Sequence, residues 1–394
     1  MAGLRFVEEL VLRHAGRFAI TVIGKEREPA YNRVLLSSLL AGEVTDADIR
    51  MRERTWYDEN AVDLVTGDAV IALDAGTRRL RLESGRELGF EHAVLATGSQ
   101  PIRPPIEGSD LPGVVTFRDL ADIAAMRAAG PGARVVVVGG GLLGIEAAYG
   151  LARAGMKVSL LHLTDRLMER QLDGRAAELL ADAIEAKGIA VVLKAETARI
   201  AGDGRVEVVT LKDGREFAAD MVVFAIGIRP ETALARMAGL ACNRGIVVDD
   251  GLATSLPGAY AIGECAEHRG QVYGLVEPAY TQARGLAERL CGCGTRFEGA
   301  VLATNLKVSG VHVFSAGEFL GGAGAEDIVF CDPGLQTYKK LVIRRDEGEQ
   351  RLVGAVLFGD TADGLWYLDL IRKGTPIASM RGDLIFGRQF IDAA

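Results

Sequence analysis

Residues 82–98 and 211–227 carry one pattern twice. The first stretch reads LESGRELGFEHAVLATG and the second LKDGREFAADMVVFAIG. Aligned without gaps they share Leu82/Leu211, Gly85/Gly214, Arg86/Arg215, Glu87/Glu216, Val94/Val223, Ala96/Ala225 and Gly98/Gly227. Each copy is a turn (SGR or DGR), a short strand, then an apolar run that stops at Gly. Upstream of the second copy stands VVVVGGGLLGIEAA, residues 135–148; at the matching place before the first stands only Met1-Ala2-Gly3. Residues 18–23 (FAITVI) and 158–161 are short apolar runs rich in strand formers, each after a helical stretch. Beyond Gly144, the residues Ile145, Ala148, Tyr149 and Ala152 recur on one helical face. Both copies therefore read as strand, helix, strand, hairpin and returning strand, which predicts parallel sheets with crossover helices. The fold class expected is α/β, with two Rossmann-like dinucleotide-binding domains and a C-terminal α+β domain. The first domain spans 1–112 and 231–300, the second 113–230, and the tail 301–394. The Pro-rich run 101–112 (PIRPPIEGSDLP) and Arg229-Pro230 mark the exits from the two copies. In the tail, short apolar runs precede an aromatic-bearing helix around 366–371.

A chain of 394 residues is too long for one core, and about 150 residues per domain gives two or three. A net charge of −8 argues against a nucleic-acid partner and against an anionic membrane surface. No apolar run reaches the ~18 residues of a spanning helix. The start, with Arg5, Glu8 and Glu9, lacks the apolar core of a signal peptide. The expectation is a soluble, cytoplasmic protein with no membrane partner. The cysteines are Cys242, Cys265, Cys291, Cys293 and Cys331, an odd set without framework spacing or a C-x-x-C. That fits a reducing compartment and argues against a redox-active disulfide. Cys291-Gly-Cys293 is the one close pair and reads as ordinary loop thiols rather than half of a metal or iron–sulfur site. His14, His92, His162, His268 and His312 show no ligand spacing, so no metal site is expected.

Gly139-x-Gly141-x-x-Gly144 follows a four-valine run and opens a helix. The first Gly permits the tight turn, the second lets backbone approach a pyrophosphate, and the third lets helix and strand pack closely. With strand, helix and second strand in place, this predicts dinucleotide binding. The second strand ends at His162, where a carboxylate would bind the ribose of NAD; Asp165 and Arg166 follow, and an Arg there is able to accept a 2′-phosphate or to face solvent. The choice between NADH and NADPH stays open. In the first copy Gly3 matches Gly144, so a strand and two glycines, about ten residues, are missing. A late start codon, a trimmed chain and a genuine start all account for this, and the first is the favoured expectation. A missing central strand would expose its neighbours' hydrogen-bonding groups and remove a pyrophosphate cradle. Tyr260-Ala-Ile-Gly263-Glu264-Cys265 is an apolar strand ending in Gly-acid, which places a carboxylate beside a ligand hydroxyl. Pro278 then opens a predicted helix to about residue 290, whose N-terminus would stabilise a reduced flavin's anionic edge.

At these residues the chain resembles the two-dinucleotide-binding flavoprotein reductases of the glutathione-reductase-like group. The matching residues are Ala96-Thr97-Gly98-Ser99, GGGLLG with Glu146, Ala225-Ile-Gly227-Ile-Arg229-Pro230 and Ala261-Ile-Gly263-Glu264. Within the group it is most similar to the FAD- and NAD(P)H-binding part of assimilatory nitrite reductase large subunits and kindred nitrate-assimilation flavoproteins. Residues 30–42, 162–173 (HLTDRLMERQLD), 262–275 (IGECAEHRGQVYGL), 307–316 (KVSGVHVFSA) and 359–370 (GDTADGLWYLDL) carry that likeness. The resemblance implies FAD and NAD(P)H as cofactors. It implies that Gly3 and Arg33 sit near the FAD pyrophosphate, that Glu26 holds the adenosine ribose, and that Thr97 and Gly98 pass close to the FAD. Glu264 would hold the ribityl chain. Gly139, Gly141, Gly144, His162 and Gly227 would serve the coenzyme, and Glu146, beside the nicotinamide, is the one candidate catalytic side chain. Ser38 stands where ferredoxin-reductase-like cousins carry a lysine.

Hydride transfer from nicotinamide to flavin needs stacking and distance rather than an acid–base pair. The expected function is an oxidoreductase running NAD(P)H to FAD to an external acceptor in nitrate or nitrite assimilation. Because the chain ends before the cysteine-rich iron–sulfur and sirohaem regions of full-length nitrite reductase subunits, electrons would pass to a separate redox partner, a nitrate or nitrite reductase component or an iron–sulfur protein. A ferredoxin- or rubredoxin-type reductase is the alternative. If Met1 is the true start, a protein that binds NAD(P)H without FAD is a third reading. A homodimer is compatible with the sequence.

Overall fold

The computed structural model describes residues 1–14, 16–74, 76–308, 310–346 and 348–391. The side chains at 14, 307 and 308 fall outside that set, as do Ser309 of the KVSGVHVFSA run and Ala394 at the end of the tail. In chain order, the framing elements begin with helix α1 (Ala2–His14) and strands β1 (Ile20–Gly24), β2 (Val62–Thr66), β3 (Ala93–Leu95), β4 (Val114–Thr116) and β5 (Arg134–Val138). Helix α2 (Leu142–Arg153), β6 (Lys157–Leu161), helix α3 (Gly174–Glu185), β7 (Ala190–Val192) and β8 (Met221–Phe224) follow. Then come β9 (Ala259–Ala261), helix α4 (Val276–Leu290), β10 (Ala303–Val308), β11 (Val311–Gly317), β12 (Ala325–Asp332), β13 (Thr337–Asp346), β14 (Glu349–Phe358) and helix α5 (Gly364–Lys373). The chain divides into two compact units. The first is Met1–Leu39, Val44–Pro101 and Ile228–Ala300; the second is Leu40–Glu43, Ile102–Gly227 and Val301–Ala394.

In the second unit the valines of β5 do what their β-branching and length predict. Val135, Val136 and Val137 are essentially inaccessible to solvent, and β5 is the middle strand of a five-stranded parallel sheet in the order β7-β6-β5-β8-β4. In the first unit the same repeat yields two separate parallel pairs. β1 pairs with β2 from Ile20↔Val62 to Gly24↔Thr66, and β9 pairs with β3 from Ala259↔Ala93 to Ala261↔Leu95. Matching the copies strand for strand, β1 answers to β6, β2 to β7, β3 to β8 and β9 to β4. The position of β5 has no counterpart among the described residues of the first unit. Burial follows: Val158, Leu160 and Leu161 of β6 are buried, whereas Ile20, Val22 and Ile23 of β1 are only half-buried. Just before the returning strand, each copy makes a three-stranded antiparallel hairpin sheet, with Gly85 at φ +88° and Gly214 at φ +89° in the matching turns.

Helix α1 packs along α4 in the first unit, with Leu4, Val7 and Leu10 meeting a core that includes Ala283, Leu286 and Ala287. Glu9 of α1 is buried. Burial alone would raise its carboxyl, but Arg13 at 2.9 Å, Arg5 at 2.6 Å and Arg284 of α4 at 3.6 Å outweigh that and hold it below the usual range. The helix expected from Pro278 to about 290 is α4, with Pro278 in its first turn.

The tail is an antiparallel sheet in the order β10-β11-β14-β13-β12. The aromatic-bearing helix expected around 366–371 is α5, which covers β14 and β11 and closes at Gly374 with φ +57°. Tyr367 is wholly buried, and its hydroxyl donates to the Leu384 carbonyl at 2.7 Å, so this aromatic serves the core. The coenzyme domain and the tail, expected as two domains, share one compact unit while each keeps its own sheet. A polar tie joins them. The Asp173 carboxylate caps α3 by accepting from the Ala176 amide at 3.0 Å, accepts the Tyr338 hydroxyl of β13 at 2.6 Å, and lies 3.9 Å from Lys340 Nζ. No described helix is long and apolar enough to cross a membrane.

Candidate nucleotide sites

The glycine loop at the end of β5 assigns each glycine a separate duty. Gly139 has φ +121°, and a Cβ there would lie 2.4 Å from the Ala225 carbonyl oxygen. A Cβ on Gly144 would lie 1.7 Å from the Gly139 carbonyl oxygen, so helix and turn meet only through glycine. Gly141, the N-cap of α2, has φ −81°, and a Cβ on it would meet no protein atom within 4 Å. Neither backbone conformation nor packing asks for glycine at that position. Open space in front of the first amides of a helix is what a close-approaching pyrophosphate needs. The residues present therefore fit a dinucleotide. Gly227, at the end of the returning strand β8, takes φ +117° and accepts the Ile102 amide at 3.0 Å.

Glu146 lies in the second turn of α2 and is half-buried. Burial pushes its carboxyl from the ordinary 4.5 up to about 7. His162 is buried at the end of β6, and both ring nitrogens face protein groups. Nδ1 accepts the Gly140 amide at 2.9 Å, and Nε2 lies 3.0 Å from a Glu169 carboxylate oxygen and 2.9 Å from Thr164 Oγ1. At this strand end, where a carboxylate would bind the ribose of NAD, the His162 ring is turned under the loop, held by the Gly140 amide and Glu169. Arg166 lies 3.7 Å from Asp165.

In the first unit, three of the expected segments meet. A Cβ on Gly3 would touch the Ala96 Cβ at 3.2 Å, and a Cβ on Gly263 would touch the Ala2 Cβ at 3.0 Å, so the start of α1 adjoins both the ATG turn and the Gly263 turn. Gly98 and Gly263 both have positive φ, +71° and +79°. The Thr97 hydroxyl donates to the Glu231 carbonyl at 2.9 Å, and the Ser99 hydroxyl donates to Glu264 at 2.7 Å. Glu26 and Arg33, expected at neighbouring parts of one ligand, are ion-paired to each other. Burial works to raise the Glu26 carboxyl, but Arg33 and the Tyr31 hydroxyl at 2.7 Å hold it below the usual range. Burial pushes the Cys265 thiol up, and it donates to the Leu95 and Ile262 carbonyls as a core group.

Several residues at these sites carried no role in the sequence reading. Gln282 of α4 is fully buried; its Oε1 accepts the Gly263 amide at 2.7 Å, while its Nε2 finds no partner among the described residues. An orphan donor beside the Gly263 turn is suited to a ligand acceptor. Ser99, Tyr31 and Glu169 likewise emerged only from contacts, although all three lie inside the recognised stretches. The flavin-side residues fit the ends of FAD; the glycine loop that would precede α1 has no counterpart among the described residues.

The model of the pyridine nucleotide-disulphide oxidoreductase family matches residues 1–283, and that of the rubredoxin NAD+ reductase C-terminal domain matches 303–375. Among curated relatives, a nitrite reductase [NAD(P)H] of Bacillus subtilis is 45% identical over 380 residues, 96% of this chain and 47% of the relative. An assimilatory nitrate reductase electron transfer subunit of the same organism is 39% identical over 387 residues, 98% of this chain and 50% of the relative. The chain thus spans about half the length of these relatives. Among solved structures, the ferredoxin reductase for the CYP199A2 system of Rhodopseudomonas palustris superposes with a TM-score of 0.84 at 26% identity, covering 98% of this chain and 97% of that one. The cofactors of such enzymes are FAD and NAD(P)H, and the glycine loop, the α/β class and the tail all agree with them. The chain belongs to the pyridine nucleotide-disulphide oxidoreductase family.

Proposed function

We propose that this chain is the electron-entry part of a nitrate- or nitrite-assimilation reductase. It takes a hydride from NAD(P)H and passes the two electrons to a redox partner bearing iron–sulfur or haem groups. The observation that carries this is a complete coenzyme loop in one unit joined in one chain to a second nucleotide-binding unit, together with 45% identity to a nitrite reductase over nearly the whole chain. Gly139, Gly141, Gly144 and Gly227 form the coenzyme cradle, and Glu146 is the ionisable group assigned to the nicotinamide end. Glu26 is assigned to the adenosine ribose of FAD, Gly3 and Arg33 to its pyrophosphate, Thr97 and Gly98 to close passage along the FAD, and Gly263 and Glu264 to the ribityl chain. FAD supplies the chemistry of accepting two electrons as a hydride and releasing them one at a time. The chain's residues bind, orient and exclude water.

The match of the tail to a rubredoxin reductase C-terminal domain favours a second reading, in which the acceptor is a small iron–sulfur protein outside nitrogen assimilation. A visible absorption spectrum of the purified protein, before and after NADH, tests the core of the proposal. Flavin bands that bleach on adding NADH are expected. A folded, colourless protein that binds NADH but takes up no FAD on reconstitution would overturn it in favour of coenzyme binding alone. Stopped-flow reoxidation by nitrite reductase catalytic subunits, ferredoxin or rubredoxin then separates the two acceptors.

A further inference from the structure

Gly140, the middle glycine of the GGG run, occupies a variable position of the fingerprint, yet here both of its backbone groups are engaged from one side. Its amide donates to His162 Nδ1 at 2.9 Å, and its carbonyl accepts the Met168 amide at 3.0 Å. A Cβ on Gly140 would lie 2.7 Å from His162 Cγ and 2.5 Å from Leu167 Cδ2, so the imidazole and the glycine are fitted to each other. For Nδ1 to accept, the ring proton must reside on Nε2, and that nitrogen faces the Glu169 carboxylate at 3.0 Å and Thr164 Oγ1 at 2.9 Å. The Thr164 hydroxyl itself donates to the Arg166 carbonyl at 3.1 Å, which leaves its lone pairs toward the ring. The ring is 7% exposed.

We infer that His162 is a positioning residue for the coenzyme. It fixes the glycine loop through the Gly140 amide, with Glu169 holding the required tautomer, instead of binding the ribose. The inference rests on the coenzyme reading of this unit. The loop geometry ahead of α2 then depends on one hydrogen-bond acceptor seven residues before its carboxylate partner. Removing that acceptor leaves a buried amide unpaired and lets the loop drift from the position that receives the pyrophosphate.

The test compares His162→Asn with His162→Gln, because the Asn oxygen reaches the place of Nδ1 and the Gln oxygen reaches that of Nε2. NADH and NADPH binding is measured by calorimetry, with steady-state turnover alongside. His162→Asn should bind coenzyme within about threefold of wild type. His162→Gln should weaken binding and raise KM about tenfold, the loss of one hydrogen bond to a buried amide, with kcat within about twofold. Equal affinities for the two variants would overturn the inference. The ¹⁵N spectrum of the wild-type imidazole needs no variant to fold. Nδ1 unprotonated and Nε2 protonated is expected, and the opposite tautomer overturns the inference by itself. Wild-type protein that binds neither NADH nor NADPH would instead overturn the coenzyme reading, so the two failures are distinguishable.

Discussion

Glu146 is a carboxyl raised by burial, and its ionisation sets a pH dependence whose sign follows from that direction. Its folded value of about 7 lies above the ordinary 4.5, so the folded state prefers it neutral. Below about 4.5 folded and unfolded chains both carry the proton and the group costs nothing. As pH rises from there toward 7 the unfolded chain gains by ionising and stability falls. The full difference is about 3 kcal/mol, and solvent at this half-buried side chain reduces it to about 1–2 kcal/mol. Glu146→Gln should therefore be more stable than wild type at about pH 8 by about that amount and equal to it at about pH 4.5. Denaturant titrations at the two values check this, and a constant offset between the proteins at both would refute it. Glu26 is the opposite case. Its cation and phenol partners hold the carboxyl down, so its contribution is present above the ordinary carboxylate range and is lost as pH falls.

At the scale of elements, the glycine loop separates what the fold needs from what the ligand needs. Gly144→Ala places a methyl carbon against the Gly139 carbonyl oxygen and forces β5 and α2 apart. It should destabilise the second unit by about 2–4 kcal/mol and lose coenzyme with it. Gly141→Ala meets no protein atom. It should leave the melting temperature within a degree or two and weaken NADH binding at least about tenfold, since the added methyl occupies ligand space. Thermal melts and calorimetry on the pair check the division, and unchanged affinity in Gly141→Ala would sink it. These duties were legible in advance because they rest on short-range spacing: a valine run, three glycines and a helical face in sequence order. The helix from Val276 and the aromatic-bearing helix of the tail were legible for the same reason. The tie from Asp173 to Tyr338 and Lys340, the Gln282 amide under Gly263 and the inward turn of His162 were not. Each joins residues across the fold through one polar atom, and side-chain direction at a strand end leaves no periodic mark. The resemblance placed Glu26 and Arg33 in one neighbourhood but could not show that they neutralise each other.

At the scale of the whole molecule, one chain holds two versions of a single sheet, one with its central strand and one split into parallel pairs. In the sequence the copies match from turn to returning strand and diverge before α1. The split gives β1 and β3 one hydrogen-bonded neighbour each where β6 and β8 have two. Native-state hydrogen exchange should show amide protection in β1 and β3 lower than in β6 and β8 by about ten- to a hundredfold. Equal protection would mean that the strand pairs draw their stability from elsewhere. Because both sheets share one tube, one temperature and one solvent, the second copy serves as an internal standard for the first. Strands with one hydrogen-bonded neighbour and strands with two are then compared as a ratio of exchange rates read within a single polypeptide.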